Sequence, residues 1–238
     1  MQIISLVFFI SLILATSSVV ASEPVIPDFE ATYSLHRSGL TFGESVRQFK
    51  SLGDGRYQFE SRTRSVGFAA MFIKEKVYEK SLLSFSAQKN RLLPDSYQYS
   101  RSGKKERQVE LSFDREKNRV INRVNDDPWV MDIPEDTLDK FGYQLQIMLD
   151  AGEKERFQYQ IADGGKLKQY NIEVIGTEML KTAIGTYEVV VLQRSNDKRQ
   201  TTMWCAKALH YLPVKITQKK KDGREFRAEI KKLTGLGR

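Results

Sequence analysis

Apolar side chains recur at every second position along most of this chain, which commits it to an extended, sheet-forming backbone. Phe29, Ala31, Tyr33 and Leu35 fall in one phase, with Glu30, Thr32, Ser34 and His36 in the other. Tyr57 and Phe59, then Val109, Leu111 and Phe113, then Phe157, Tyr159 and Ile161 repeat the pattern. Successive side chains of a strand point to opposite faces, so each apolar set lines one side of a sheet while its polar neighbours face water. Turn-forming residues separate the runs: Gly53-Asp54-Gly55, Asp163-Gly164-Gly165, and Asp222-Gly223 between Val214–Lys219 and Glu225–Ile230. An Asp-Gly pair between alternating runs predicts a hairpin, because both turn positions favour positive φ. About twelve strands are expected on this reading.

One segment departs from period two. Leu138, Phe141, Leu145, Met148 and Leu149 lie three and four apart, which predicts a helix. Asp136 or Thr137 can cap its start and Gly152 can close it, although Gly142 inside costs about 1 kcal/mol against alanine. Its apolar stripe is expected against the open face of the sheet, and Asn125–Pro134 reads as a connection leading into it. No internal repeat or low-complexity linker follows Pro27. The fold class is therefore mainly β: a curved antiparallel sheet or partial β-barrel with one packed α-helix.

The first residues carry a different message. An apolar run from Ile3 to Ala15 breaks at Thr16-Ser17-Ser18 and ends in Val19-Val20-Ala21. That order reads as a secretory signal peptide, residues 1–21, too short for a comfortable membrane span. The expected product starts at Ser22, residues 22–238 forming a single β-rich domain exported to the periplasm. Cys205 is the only cysteine, so there is no intramolecular disulfide and no cysteine at the cut to carry a lipid anchor. Stability then rests on the core. The net charge is +8, from 38 basic and 30 acidic residues. In an exported protein this favours an anionic membrane surface over nucleic acid, beside the plainer reading of a mixed, solvated surface.

The residue types that most enzymes need are scarce. Only His36 and His210 are present, and neither has a partner ligand at metal spacing. There is no Gly-x-Ser-x-Gly elbow, and Asp163-Gly164-Gly165-Lys166 lacks the spacing and hydroxyl of a phosphate-binding loop. Cys205 would need a histidine base, yet a strand holds His210 roughly 16 Å away. No catalytic constellation and no cofactor are expected.

Trp204-Cys205-Ala206-x-x-Leu209-x-Tyr211-Leu212-Pro213-Val214, followed by Asp222-Gly223, resembles the closing motif of an exported bacterial family, domain of unknown function 3108. Phe29-x-Ala31-x-Tyr33, Leu93-Pro94 with Tyr97, Phe113-Asp114 and Gly185-x-Tyr187-Glu188 extend the resemblance from Phe29 to about Leu233. Gly142-Tyr143 stands before Gln144 where the family's helix usually carries a serine. The resemblance implies a periplasmic, mostly β protein with no assigned catalytic residue.

The functional expectation is a non-enzymatic envelope protein that binds an apolar or amphipathic ligand, a lipid or lipoprotein, in a half-barrel. The alternative is an interaction module docking an envelope protein partner. No motif specifies an oligomeric state. The sharpest candidate site is Val66-Gly67-Phe68-Ala69-Ala70-Met71-Phe72-Ile73, continuously apolar in a chain that otherwise alternates. Arg62 and Arg64 precede it; Lys74 and Lys76 follow. Phe68, Met71 and Phe72 are therefore candidate ligand-binding residues, in a loop that meets an anionic membrane or gates a lipid pocket. The competing reading is a buried turn closing one end of the barrel.

Overall fold

The alternating runs each become a strand, and tight turns return the chain beside itself. The computed structural model describes residues 26–67, 69–72, 75–103, 106–196 and 198–236, so the predicted signal segment lies outside the described residues. In chain order the strands of the first half are β1 Phe29–Arg37, β2 Leu40–Gly53, β3 Arg56–Ser65, β4 Lys76–Ser86, β5 Arg91–Ser102, β6 Arg107–Asp114, β7 Arg119–Val124 and β8 Asp127–Asp132. The second half carries β9 Leu138–Asp139, β10 Arg156–Ala162, β11 Leu167–Thr182, β12 Gly185–Ser195, β13 Arg199–Ala206, β14 Leu212–Lys220 and β15 Glu225–Thr234. A single turn of helix, α1 Ala69–Phe72, lies between β3 and β4, and α2 Tyr143–Asp150 lies between β9 and β10.

All fifteen strands form one sheet in the order β8-β7-β6-β5-β4-β3-β2-β1-β15-β14-β13-β12-β11-β10-β9. Each half is an up-and-down meander, and the halves join where β1 pairs with β15. Every pair is antiparallel except β9 with β10. The sheet is curved, and its two ends, β8 and β9, are not paired with each other. Its two outer regions meet through side chains instead: Gly165, in the β10–β11 turn, donates its N–H to Asn122 Oδ1 of β7 at 3.1 Å. The backbone comes so close there that any Cβ on Gly165 would run into the Trp129 indole of β8. Among the described residues, no helix is long and apolar enough to cross a membrane.

Several expectations need correction. Fifteen strands replace about twelve, partly because the supposed connection Asn125–Pro134 contains β8. Pro128 is tolerated there because β8 is the last strand of the sheet. In the Asp222-Gly223 turn only Gly223 takes positive φ, at 81°. The helix starts at Tyr143 rather than near Leu138. Leu138 and Asp139 are extended and pair with Ile161 and Ala162 of β10.

Asp139 explains the late start. Its Oδ1 accepts the backbone N–H groups of Phe141 and Gly142, each at 2.7 Å, and the Ser81 hydroxyl at 3.0 Å. A Cβ on Gly142 would lie 2.8 Å from Asp139 Oδ2 and 3.1 Å from Leu83, so the glycine permits this close approach. Burial pushes the Asp139 carboxyl up to about 6 even though these hydrogen bonds favour its ionised form.

α2 fills the concave side of one half of the sheet. Leu145, Ile147 and Met148 are buried, and the Phe141 ring just before the helix stacks on Phe59 with centroids 4.0 Å apart. Gln146 fastens the helix to β5, accepting from Leu92 N at 3.1 Å and donating to Asn90 O at 3.1 Å. Arg115 ties down the preceding segment by donating to the carbonyls of Pro94, Glu135 and Thr137.

Candidate ligand cavity at the open end of the sheet

The helix reaches only part of the concave face. The chain just before it packs Phe141 on Phe59 of β3 and meets Leu83 of β4. Further along the same strands, Thr63, Ser65 and Val77 border a cavity of about 730 Å³. Phe42, Phe226 and Leu40 supply its apolar lining, and Gln218 contributes a polar wall. Phe226 follows the inward phase of β15, where Ala228 and Ile230 are buried. Phe42 sits at an irregularity of β2: pairing with β1 jumps from Leu35–Gly43 to His36–Thr41, leaving Phe42 without a cross-strand partner. The two rings pack at 5.9 Å.

Charge gathers around the cavity. Arg37, Arg64, Lys220 and Arg224 line it, against Glu75 and Glu225. Arg64 and Lys231 both reach Glu44, at 3.0 and 3.1 Å, and hold its carboxyl below the usual range. Arg224 hydrogen-bonds Asp222 and draws that carboxyl down to about 2. The hairpin tip carrying Lys219-Lys220-Lys221 and Arg224 therefore borders the mouth. β14 lies between β13 and β15, and Pro213 sits at its start, after Leu212.

A polar layer separates the cavity from the helix-filled core. Ser45 and Ser61 hydrogen-bond at 3.0 Å, and Thr63 donates to Ser45 at 3.0 Å. Two inward-facing arginines join them. Arg47 lies over the Tyr33 ring at 4.7 Å and donates from Nη1 to Gln144 Oε1 at 2.8 Å. Arg194 lies over Tyr170 at 3.7 Å and reaches Thr201 Oγ1 from Nη2 at 3.5 Å. Arg194 is only 6% exposed. Among the described residues, neither its Nη1 nor Arg47 Nε has a hydrogen-bond partner. Tyr143 packs its ring edge-on to Tyr170 at 5.3 Å, and the next residue is Gln144, the acceptor of Arg47. Burial raises its phenol while Arg194, Arg47 and Arg199 oppose the rise.

The described part of the apolar segment singled out in the sequence lies in the chain between Ser65 and Glu75, which both line this cavity. Val66 N donates to Phe42 O at 3.1 Å, and α1 begins after Gly67, whose φ is 59°. Met71 is 70% exposed, which does not fit a wholly buried turn. Phe68 and the side chain of Phe72 lie outside the described residues. The periodicity gave no warning of Phe42 or Arg37, whereas Phe226 shares the inward phase of Ala228 and Ile230. Arg47 and Arg194 did leave a signal: each is a charge in the inward phase, beside Ser45 and Phe49 or after Val190 and Leu192.

The other residues weighed for chemistry have structural surroundings. Cys205 is fully buried, and desolvation pushes its thiol well above the usual range, which suppresses the nucleophilic thiolate. His36 contacts the Ser34 and Thr41 hydroxyls at 3.0 Å, and His210 has φ 50° after a short 3-10 turn. Among the described residues, no three His, Cys, Asp or Glu side chains are placed to hold a metal ion. The closing motif packs the core: Leu209, Leu212 and Val214 are buried, and Tyr33 donates its hydroxyl to Pro213 O at 2.9 Å.

No curated protein matches the sequence. Among solved structures, the beta-barrel-like protein of domain of unknown function DUF1849 from Brucella abortus superposes with a TM-score of 0.58 at 12% identity, covering 90% of this chain and 99% of that one. That similarity is one of fold. MucB in complex with MucA(peri) covers 88% of both chains at 11% identity, and the Pseudomonas aeruginosa MucA/MucB complex covers 89% of this chain and 94% of that one at 9% identity. Both superpose at a TM-score of only 0.18, too loose to carry an argument. The model of the family described as "Protein of unknown function (DUF3108)" matches residues 28–231, and the chain belongs to that family.

Proposed function

We propose that this is a non-enzymatic binding protein of the periplasm that holds an apolar or amphipathic ligand in the open end of its half-barrel. The observation carrying this reading is the cavity of about 730 Å³ beside Phe42, Phe226, Leu40 and Val77. Ligand sites are typically clefts of roughly 300–1,000 Å³ with an apolar lining and a few polar groups. A generally loose core does not account for it, because α2 packs the other half of the same sheet with buried aliphatic and aromatic side chains. The basic residues at the mouth favour an anionic partner or surface.

The signal-peptide order at the start of the chain supports the periplasmic part of this reading. Residues 1–21 have the order of a signal peptide, and the exported form is expected to begin at Ser22 by intact mass. Retention of residues 1–21 in the exported fraction would overturn the cleavage.

Native mass spectrometry after gentle purification, with titration of a fluorescent lipid probe, tests the binding reading. The expected result is an added mass in the natively purified protein and saturable probe binding, weakened at least tenfold by Phe226→Glu. A bare mass in every preparation together with no probe binding would remove the proposal. One stoichiometric protein partner recovered without lipid would favour the docking alternative.

A further inference from the structure

Resting on the cavity reading above, we infer that the ligand is an anionic amphiphile whose acidic head passes the cavity wall and is held by Arg194 and Arg47. A buried guanidinium is normally accompanied by a carboxylate or by a full set of acceptors, because its charge has been removed from water. Arg194 has neither. It is 6% exposed, and among the described residues its one hydrogen bond is to Thr201 at 3.5 Å and its Nη1 has no partner. Tyr170 supplies only its ring face, at 3.7 Å. Arg47 is bound through Nη1 to Gln144 and leaves its Nε unpartnered. No acidic side chain forms an ion pair with either arginine among the described residues.

The cavity leads towards them. Gln218 lines it and is the cross-strand neighbour of Thr201, the residue that Arg194 touches. Arg199 reaches the same Gln218 from Nη1 at 3.4 Å. Displacing Gln218 thus connects the cavity with Arg194, while Arg47 approaches from β2 with Gln144 at the start of α2. Tyr143 packs edge-on against the Tyr170 ring that Arg194 covers, and the next residue, Gln144, is the acceptor of Arg47, so adjoining residues link the two arginines. A carboxylate or phosphate oxyanion fits this donor set, since guanidinium N–H groups fork onto paired oxygens. The Phe42 and Phe226 rings then meet the alkyl part of the same molecule. Asp139, the buried carboxylate just before α2, spends its Oδ1 on Ser81, Phe141 and Gly142 rather than on either arginine.

Calorimetric titration of the purified protein with dodecanoate, dodecyl phosphate, 1-dodecanol and inorganic phosphate separates the contributions. The acid and the phosphate ester are expected to bind at least tenfold more tightly than the alcohol of equal chain length. Arg194→Met is expected to reduce that ratio to within twofold, with Arg194→Lys retaining part of it. Ligand-free Arg194→Met is also expected to melt higher than the parent, because it loses an uncompensated buried charge. Equal affinity for acid and alcohol in the parent protein would overturn the anion site while leaving the cavity reading intact. A preference that survives in Arg194→Met, or a lowered melting temperature in that variant, would also overturn it. If no amphiphile binds but inorganic phosphate does so in an Arg194-dependent way, the anion site stands and the amphiphile falls. Silence from all four probes overturns both.

Discussion

The two ends of one curved sheet have opposite interiors. At the helix end, Phe59, Phe141, Leu83, Leu145 and Ile147 are buried together, and polar groups brought inside are anchored, as Gln146 is on Asn90 and Leu92 and Asp139 Oδ1 is on Ser81, Phe141 and Gly142. At the other end the sheet presents Ser45, Ser61, Thr63, Gln218 and two arginines, and of these Thr63 and Gln218 border the cavity. Strand geometry does not distinguish the ends, because β3 and β4 run through both. What differs is whether a second element covers the concave face. Where α2 lies on the sheet, apolar surface is removed from water and the structure is locked; where it does not, the inward phase turns polar and remains available.

The largest effect should come from breaking the filled end. Phe141→Ala removes a ring stacked on Phe59 and should cost about 3–5 kcal/mol by chemical denaturation. Phe226→Ala borders existing space and should cost about 1 kcal/mol. Equal costs would show that the two ends are packed alike.

Asp139 sharpens the comparison through pH. Its folded carboxyl stands at about 6, above the ordinary aspartate value of about 3.9. Between these values the folded state binds the proton more tightly than the unfolded state. Its stabilising contribution is therefore complete below about pH 4 and is lost as pH rises through about 6. Asp139→Asn keeps an acceptor for Ser81, Phe141 and Gly142 but has no proton to lose. It should abolish that slope and be more stable than the parent at neutral pH by about 1–3 kcal/mol. The same slope in parent and variant would place the pH dependence elsewhere.

The smallest effect on folding is expected at the rim. Met71 is 70% exposed, so Met71→Asp should change stability by less than about 0.5 kcal/mol. We propose that Phe68, Met71 and Phe72 contact the ligand or an anionic membrane. Phe68→Asp with Phe72→Asp should then abolish co-sedimentation with anionic vesicles at low salt while the fold survives. Collapse of the thermal midpoint in that double variant would instead show a buried turn. Absence of vesicle binding by the parent protein would end the membrane reading of this site.

Much of the sheet was legible because alternation is a local property. Phe29, Ala31, Tyr33 and Leu35 are buried as their phase predicts, and so are Val109, Leu111 and Phe113. The helix boundary was less legible. Leu138 and Phe141 have helical spacing, yet they are buried by a two-residue strand and by the loop that Asp139 organises. The reason is distant in sequence: Ser81 and Leu83 of β4 shape the space around Asp139 and Gly142. The cavity was not legible at all. Phe42, Val77, Gln218 and Phe226 are scattered over four strands, and only the pairing of β1 with β15 brings the first pair of hairpins beside the last.

By itself the sequence determined the strand-rich class, most of the strands, their inward phase and the family, because side-chain alternation, turn residues and short motifs act over a few positions. The tertiary structure alone decided that fifteen strands form one unclosed sheet, that α2 occupies only half of its concave face, and that Arg47 and Arg194 lie between a filled core and a cavity. Those outcomes depend on which distant strands pair and on how far a helix reaches across them. No local pattern encodes either distance.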